Sequence, residues 1–349
     1  MTISIVSQDH GDPASNGGPR TTAPSEPQAP QRPQVDTRVK ALRRFALSIT
    51  VFNILGHLLF GFEQAPITPV VCVLTSYAAA LVLERLDSWA LGRQPEYAGG
   101  FVKLTTFLLP PHITALACAM LLYGNHSVWP YLFAVVVANS SKYLIRIRIN
   151  GRLRHILNPS NAGIVVTLLI FPWVGIAPPY HFTNNLTGAP RWLLPLGILM
   201  LGTMLNAKLT GKIPLILGWV GGFIAQAIVR WLLLDHALVG ALLPVTGVAF
   251  ILFTNYMITD PATTPVKRPN QVIFGVTAAL AYGLLVIFGI VFGLFFALII
   301  ACSLRGAVLG LTPHFQALRQ RRQSGRRLGG DGQVSRAESL TRSPAVAPS

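Results

Sequence analysis

The chain has 349 residues, 52% of them hydrophobic and only 11% charged. Ordinary soluble domains carry about 25% charged residues, so this composition speaks against a soluble globular enzyme. Lys and Arg total 28 against 12 Asp and Glu, a net charge of +16. Because these cations lie between long apolar runs rather than on a polar, aromatic-rich surface, they point to a membrane protein and away from a nucleic-acid partner.

Residues 1–40 are rich in Pro, Gly, Ser, Thr and Gln and read as a disordered tail. The first apolar run begins after Arg43-Arg44 and is too long for the core of a signal peptide, so none is expected. A membrane domain follows over 41–311. Apolar runs long enough to cross a bilayer fall at 42–62, 66–86, 101–123, 128–148, 160–178, 192–207, 213–234, 238–258, 271–289 and 290–310. The last two come from one apolar stretch, 272–310, which is too long for one crossing; Gly289 and Gly293 offer a tight reversal. Residues 312–349 form a second disordered tail, whose Arg319, Arg321, Arg322, Arg326 and Arg327 suit a flank that attracts anionic lipid.

Charge placement orients these spans. On the N-terminal side of a ten-span arrangement lie 26 of the 28 cations, and only Arg191 and Arg230 fall opposite. The positive-inside rule then places both termini in the cytoplasm of a bacterial cell. The expected fold is an all-α integral membrane protein of about ten transmembrane helices, arranged as two inverted five-helix repeats.

Four polar features interrupt the apolar pattern. Pro110-Pro111-His112 lies in the middle of the third run, where two prolines predict a kinked or re-entrant helix and His112 is expected to cap freed carbonyls. Arg154 to Gly163, containing Asn158-Pro159-Ser160-Asn161, opens the fifth run. The outward loop 178–192 reads as turns with an interfacial Trp192. Thr259-Asp260-Pro261-Ala262-Thr263-Thr264-Pro265 closes the eighth run, and Pro244 within that run is a milder break. A polar helix end broken by proline in each half fits the broken-helix sites of inverted-repeat membrane folds better than plain loops.

The remaining polar residues are read more plainly. Asn53, Asn139, Asn206 and Gln226 are expected to hold helices together, Arg230 to reach the outer interface, and Glu84 and Asp87 to anchor a cytoplasmic end. Cys72, Cys118 and Cys302 read as small buried hydrophobes. No catalytic triad, metal-ligand spacing or phosphate-binding glycine loop occurs.

Taken in order, Leu109-Pro110-Pro111, then Asn158 to Gly163, then Met257-Ile258-Thr259-Asp260-Pro261-Ala262-Thr263 resemble the RnfD/NqrB family over about residues 40–311. Phe171-Pro172 and Ile273-Phe274-Gly275 share in that likeness. Members are ten-helix membrane subunits of the Rnf complex and of the sodium-pumping NADH:quinone reductase. The resemblance implies electron transport, redox partner subunits, and FMN held through a phosphoester by a threonine in the loop after the fifth span. Here the loop reads Thr187-Gly188-Ala189-Pro190. Pro190 stands at the acceptor position and has no hydroxyl; Thr187 accepts the phosphoester only if the attachment shifts by three residues. FMN bound noncovalently between helices stays open, with Asn158 and Asp260 as further cofactor-site candidates.

The shortened loops resemble the stand-alone RnfD-like proteins associated with enediyne biosynthesis, which implies a role in secondary metabolism. Three readings follow: a membrane redox subunit, a transporter or exporter of ions or a natural product, and a membrane scaffold for a biosynthetic complex.

Overall fold

A computed structural model describes residues 37–312 apart from 150, 178–181 and 184. The tails expected over 1–40 and 312–349 lie outside these residues, except that Thr37 already opens a helix and Thr312 belongs to the last one. Helices α1 (Thr37–Leu58), α2 (Ile67–Ala90), α3 (Phe101–Leu121), α4 (Trp129–Leu144) and α5 (Pro159–Ile170) make up the first half. The second half holds α6 (Pro190–Leu205), α7 (Ile213–Leu234), α8 (Leu238–Leu242), α9 (Val248–Leu252), α10 (Arg268–Ile287) and α11 (Gly293–Thr312).

Six of these are long and apolar enough to cross a membrane: α2, α3, α6 with the turn that continues it to Thr210, α7, α10 and α11. A seventh is the bent pair Leu238–Thr246 and Val248–Met257. Leu74, Leu169, Leu217, Leu233, Leu280 and Val308 stand more than half exposed. Asn139, Asn161, Asn206, Ser76 and Glu84 are buried instead. A protein dissolved in water does not sustain that inversion over its whole surface; one embedded in lipid does.

The connections sort to two ends. At one end, strand β1 (Leu122–Tyr123) pairs antiparallel with a second short strand, Gly175–Ile176. There Gln64 donates to the Leu122 carbonyl at 2.9 Å, Asn125 to that of Trp173 at 3.2 Å, and Asn185 to that of Phe60 at 3.1 Å. At the other end, β2 (Arg146–Ile149) and β3 (Arg152–His155) form a basic hairpin between α4 and α5.

Close helix contact is set by small residues. Gly218 and Gly222 stand one turn apart on α7, facing α10. A Cβ at Gly218 would sit 2.6 Å from the Val272 carbonyl oxygen, and one at Gly275 would sit 2.5 Å from that of Leu215. Such backbone approach without side chains between is how helices gain packing in lipid, where no hydrophobic driving force separates tails from leucines. Next to this seam, Trp219 stacks among Phe223, Phe250, Phe253 and Tyr282, and its indole N–H donates to the Thr254 hydroxyl at 3.0 Å.

Three expectations about helix geometry change. The helix α3 runs unbroken through Pro110 and Pro111. Beside the prolines, Ser76 on α2 donates to the Pro111 carbonyl at 2.8 Å. The strong break lies at Pro244–Gly247, where the chain turns by 65°. The apolar stretch 272–310 does divide into two helices, and Gly289 adopts φ +65° in the reversal, but its second left-handed residue is Phe292 at φ +59°, not Gly293.

Candidate functional site

Asn158 caps α5: its Oδ1 accepts from the Asn161 backbone N–H at 3.2 Å and from the Ser160 hydroxyl at 2.9 Å. Pro159 follows at the first helical position, where its missing N–H is not needed. The second half of the Asn158 amide reaches across the fold and donates to the Met257 carbonyl at 3.1 Å. That carbonyl ends a π-helical turn, Phe253–Met257, which continues α9 toward Asp260. A second π-helical turn, Asn206–Thr210, faces it, with Asn206 donating to the Asn255 carbonyl at 2.7 Å. Single π turns leave irregular backbone groups that a regular helix would satisfy itself.

Asp260 is held by its own turn. Its carboxylate accepts from the Ala262 N–H at 3.0 Å and from the Thr263 hydroxyl at 2.9 Å. Arg305 on α11 donates to the Thr263 carbonyl at 2.8 Å, and Lys212 to that of Pro265 at 2.7 Å. The Cys302 thiol lies within hydrogen-bonding reach of both the Asn158 N–H and the Thr263 side chain. Asn161 donates to the Phe295 carbonyl at 3.0 Å. The two interrupted segments therefore meet against α11, and Cys302 stands about 15 Å of helix from its end at Thr312.

The electrostatics are lopsided. Asp260 is the one carboxylate among these groups, and it interacts with Lys142, Lys212 and Cys302. Lys212 is 3% exposed, and burial pushes its amine down to about 8, with Asp260 opposing that shift and Arg305 adding to it. The N-terminus of α5 adds the positive end of a helix dipole. The Asn161 Oδ1 is buried with no partner among the described residues. A buried acceptor left without a donor is costly, so it marks a position where a water or solute would be welcome.

Of the cofactor-site candidates, the structure brings Asn158 and Asp260 together through Met257. Thr187, Gly188 and Ala189 lie instead exposed at the start of α6, at the far end of α5 in chain order. Pro190 occupies the first turn of α6 and offers no hydroxyl. The cavity at that end, lined by Phe62, Glu63, Met120, Tyr123 and Phe182, measures about 10 Å³, room for about one water. Of Thr187, Gly188, Ala189 and Pro190, Thr187 alone carries a hydroxyl, and it stands exposed. No group of three or more His, Cys, Asp or Glu side chains suited to a metal occurs among the described residues.

Other polar residues depart from expectation. Glu84 and Asp87 are not surface anchors. Glu84 is 2% exposed and receives Arg93 at 2.6 Å, Ser88 at 3.0 Å, Tyr143 at 3.2 Å and the Glu96 N–H at 2.9 Å. Asp87 binds Arg93 at 2.7 Å and Arg146 at 2.6 Å. Arg93 is pushed above the usual arginine range, first by its hydrogen bond to Glu84. His112 does not cap carbonyls: it bridges the Thr50 hydroxyl at 2.8 Å and the Tyr77 hydroxyl at 2.9 Å.

Asn139 and Asn206 do join helices, through Ser76 and Asn255. Asn53 and Gln226 bond mainly within their own helices. Arg230 does not reach outward but is buried. The cross-helix partners of His112, Asn139 and Asn206 lie 35 or more positions away in the chain, so spacing alone offered no signal for them.

Together these observations define a helical protein with several membrane-length apolar helices and a broken-helix polar site. No protein-family model matches the chain, and no curated protein matches it.

Proposed function

We propose that this is a ten-span protein of the bacterial cytoplasmic membrane, with two inverted five-helix repeats and both termini cytoplasmic, that moves a small ion or solute through the site at Asn158 and Asp260. One observation carries the transport reading: two interrupted segments meet against α11 beside the Asp260 carboxylate and a buried acceptor that has no partner among the described residues. Helix ends inside a bundle expose backbone groups that can exchange water for a solute, which continuous helices cannot do. The ten-span count adds α1, α4 and α5 to the longer helices. Each of these is packed into the bundle although basic residues or short length weaken its own apolar signal. The basic hairpin and the cations around Asp260 share one end, as the positive-inside rule requires of a cytoplasmic face.

At the site, Asn158 and Asn161 orient the solute, Asp260 is the coupling group, and Lys212 with Arg305 favours an anion over a bare cation. The test is flux into proteoliposomes of the full chain. Asp260→Asn lowers the rate at least tenfold while the protein still folds. Vesicles that move neither anions nor sodium, together with producing cells indifferent to Asp260→Asn, overturn the reading.

A second reading rests on the ordered likeness of the three motifs to the RnfD/NqrB family: a redox subunit serving secondary metabolism, with FMN bound noncovalently between helices. Releasable flavin in the visible spectrum of the purified protein selects it, and a colourless protein rejects it.

A further inference from the structure

The outer half of α7 carries a charge without a counter-ion. Arg230 is 5% exposed, and its Nε donates to the Gln226 Oε1 at 2.8 Å. Among the described residues, no carboxylate pairs with it and its two terminal amino groups find no hydrogen-bond acceptor. These groups line a cleft of about 310 Å³ between α7, α8 and α10. The lining combines the polar His236 and Tyr282 with the apolar Ala241, Pro244 and Val286. A largely buried guanidinium whose terminal amino groups have no protein acceptor is favoured when a ligand in the cleft supplies one. The planar donor pair left free has the geometry that oxyanions fill two bonds at a time.

We propose that this cleft binds an amphiphilic oxyanion, a phosphate diester or carboxylate joined to an apolar body. Its charged group sits on Arg230 beside His236 and Tyr282, and its apolar part lies along Ala241, Pro244 and Val286. The site lies apart from Asn158 and Asp260, so it stands or falls independently of the transport reading. Two sources share this chemistry: the headgroup of an anionic lipid, and a small amphiphilic acid.

The test measures ligand-induced thermal stabilisation of the full chain in neutral detergent. Phosphatidylglycerol and decanoate are the probes, and diacylglycerol and decanol are their uncharged controls. The expected result is a shift with at least one charged probe beyond its control, and an apparent Kd weakened about tenfold or more in Arg230→Gln. Stabilisation by phosphatidylglycerol alone assigns the site to lipid, and stabilisation by decanoate assigns it to a small acid. In case Arg230→Gln fails to fold, Gly240→Leu blocks the cleft and leaves Arg230 in place, since a Cβ there meets nothing nearer than Ala237 at 3.9 Å. Charged probes no better than their controls, or binding undiminished in both variants, overturn the proposal.

Discussion

Glu84 and Asp260 are both carboxylates at the basic end of the bundle, but their surroundings have nothing in common. Glu84 is 2% exposed and is met by an arginine, a tyrosine, a serine and a backbone N–H from three separate segments. Among the described residues the Asp260 carboxylate receives only the N–H and hydroxyl of its own turn, while Lys212 and Arg305 bond carbonyls instead. A buried charge whose every lone pair is occupied cannot change partners without unfolding its neighbourhood. A carboxylate held by a local turn, with cations close but not bonded to it, is tied to fewer elements of the fold. The first arrangement holds α2, α4 and the loop after α2 together; the second is confined to its own turn.

The sharpest way to break this contrast is to remove each carboxylate. Glu84→Ala is expected to cost on the order of 3 kcal/mol, because it strands the Tyr143 hydroxyl and the Glu96 N–H and leaves Arg93 to Asp87 alone, with Arg93 recovering some hydration through its 34% exposed side chain. Thermal unfolding in detergent reads this directly, and a loss below about 1 kcal/mol would make the two sites energetically alike. Asp260→Asn is expected to cost about 1 kcal/mol, since an amide oxygen still accepts the Ala262 N–H and only the hydroxyl contact is rearranged. A larger loss would move Asp260 into the structural class.

The smallest effect is a pH dependence. Lys212 titrates near 8 when folded and near its ordinary 10.5 when unfolded, so between these values the unfolded chain binds more protons. Stability should therefore rise with pH in that window, by about 1 kcal/mol from pH 8 to 9. Asp260→Asn removes the charge that holds the Lys212 value up, and the rise should then begin at lower pH. Unfolding curves at stepped pH in both proteins check the sign; a flat response would mean that the Lys212 amine is solvated.

Much of the architecture was legible in apolar run length and cation placement. Each of the ten runs overlaps a helix or a bent helix pair among the described residues, and six or seven of these are long and apolar enough to cross a membrane. Asn158-Pro159 and Thr259-Asp260-Pro261 were visible as breaks because proline after a polar residue has a local meaning. Their hydrogen-bonded contact, across 99 positions of sequence, had no local trace. The prolines themselves misled. Pro110-Pro111 looks like the stronger break and is not, because α1 and α2 supply Thr50, Ser76 and Tyr77 beside it. Pro244, with exposed neighbours and Gly247 in extended conformation behind it, is where the helix turns.

What the sequence by itself determined is that the chain is built from apolar helices, six or seven of them of membrane length among the described residues, since this follows from transferring side chains one by one between water and lipid. Only the tertiary structure decided which polar residues are compensated and which are left free. Glu84 and Arg230 look alike in sequence, each a charged residue near the end of an apolar run. One is fully paired and the other lines a cleft with no carboxylate partner among the described residues, because pairing depends on which helices the fold brings alongside, and one-dimensional spacing does not carry that information.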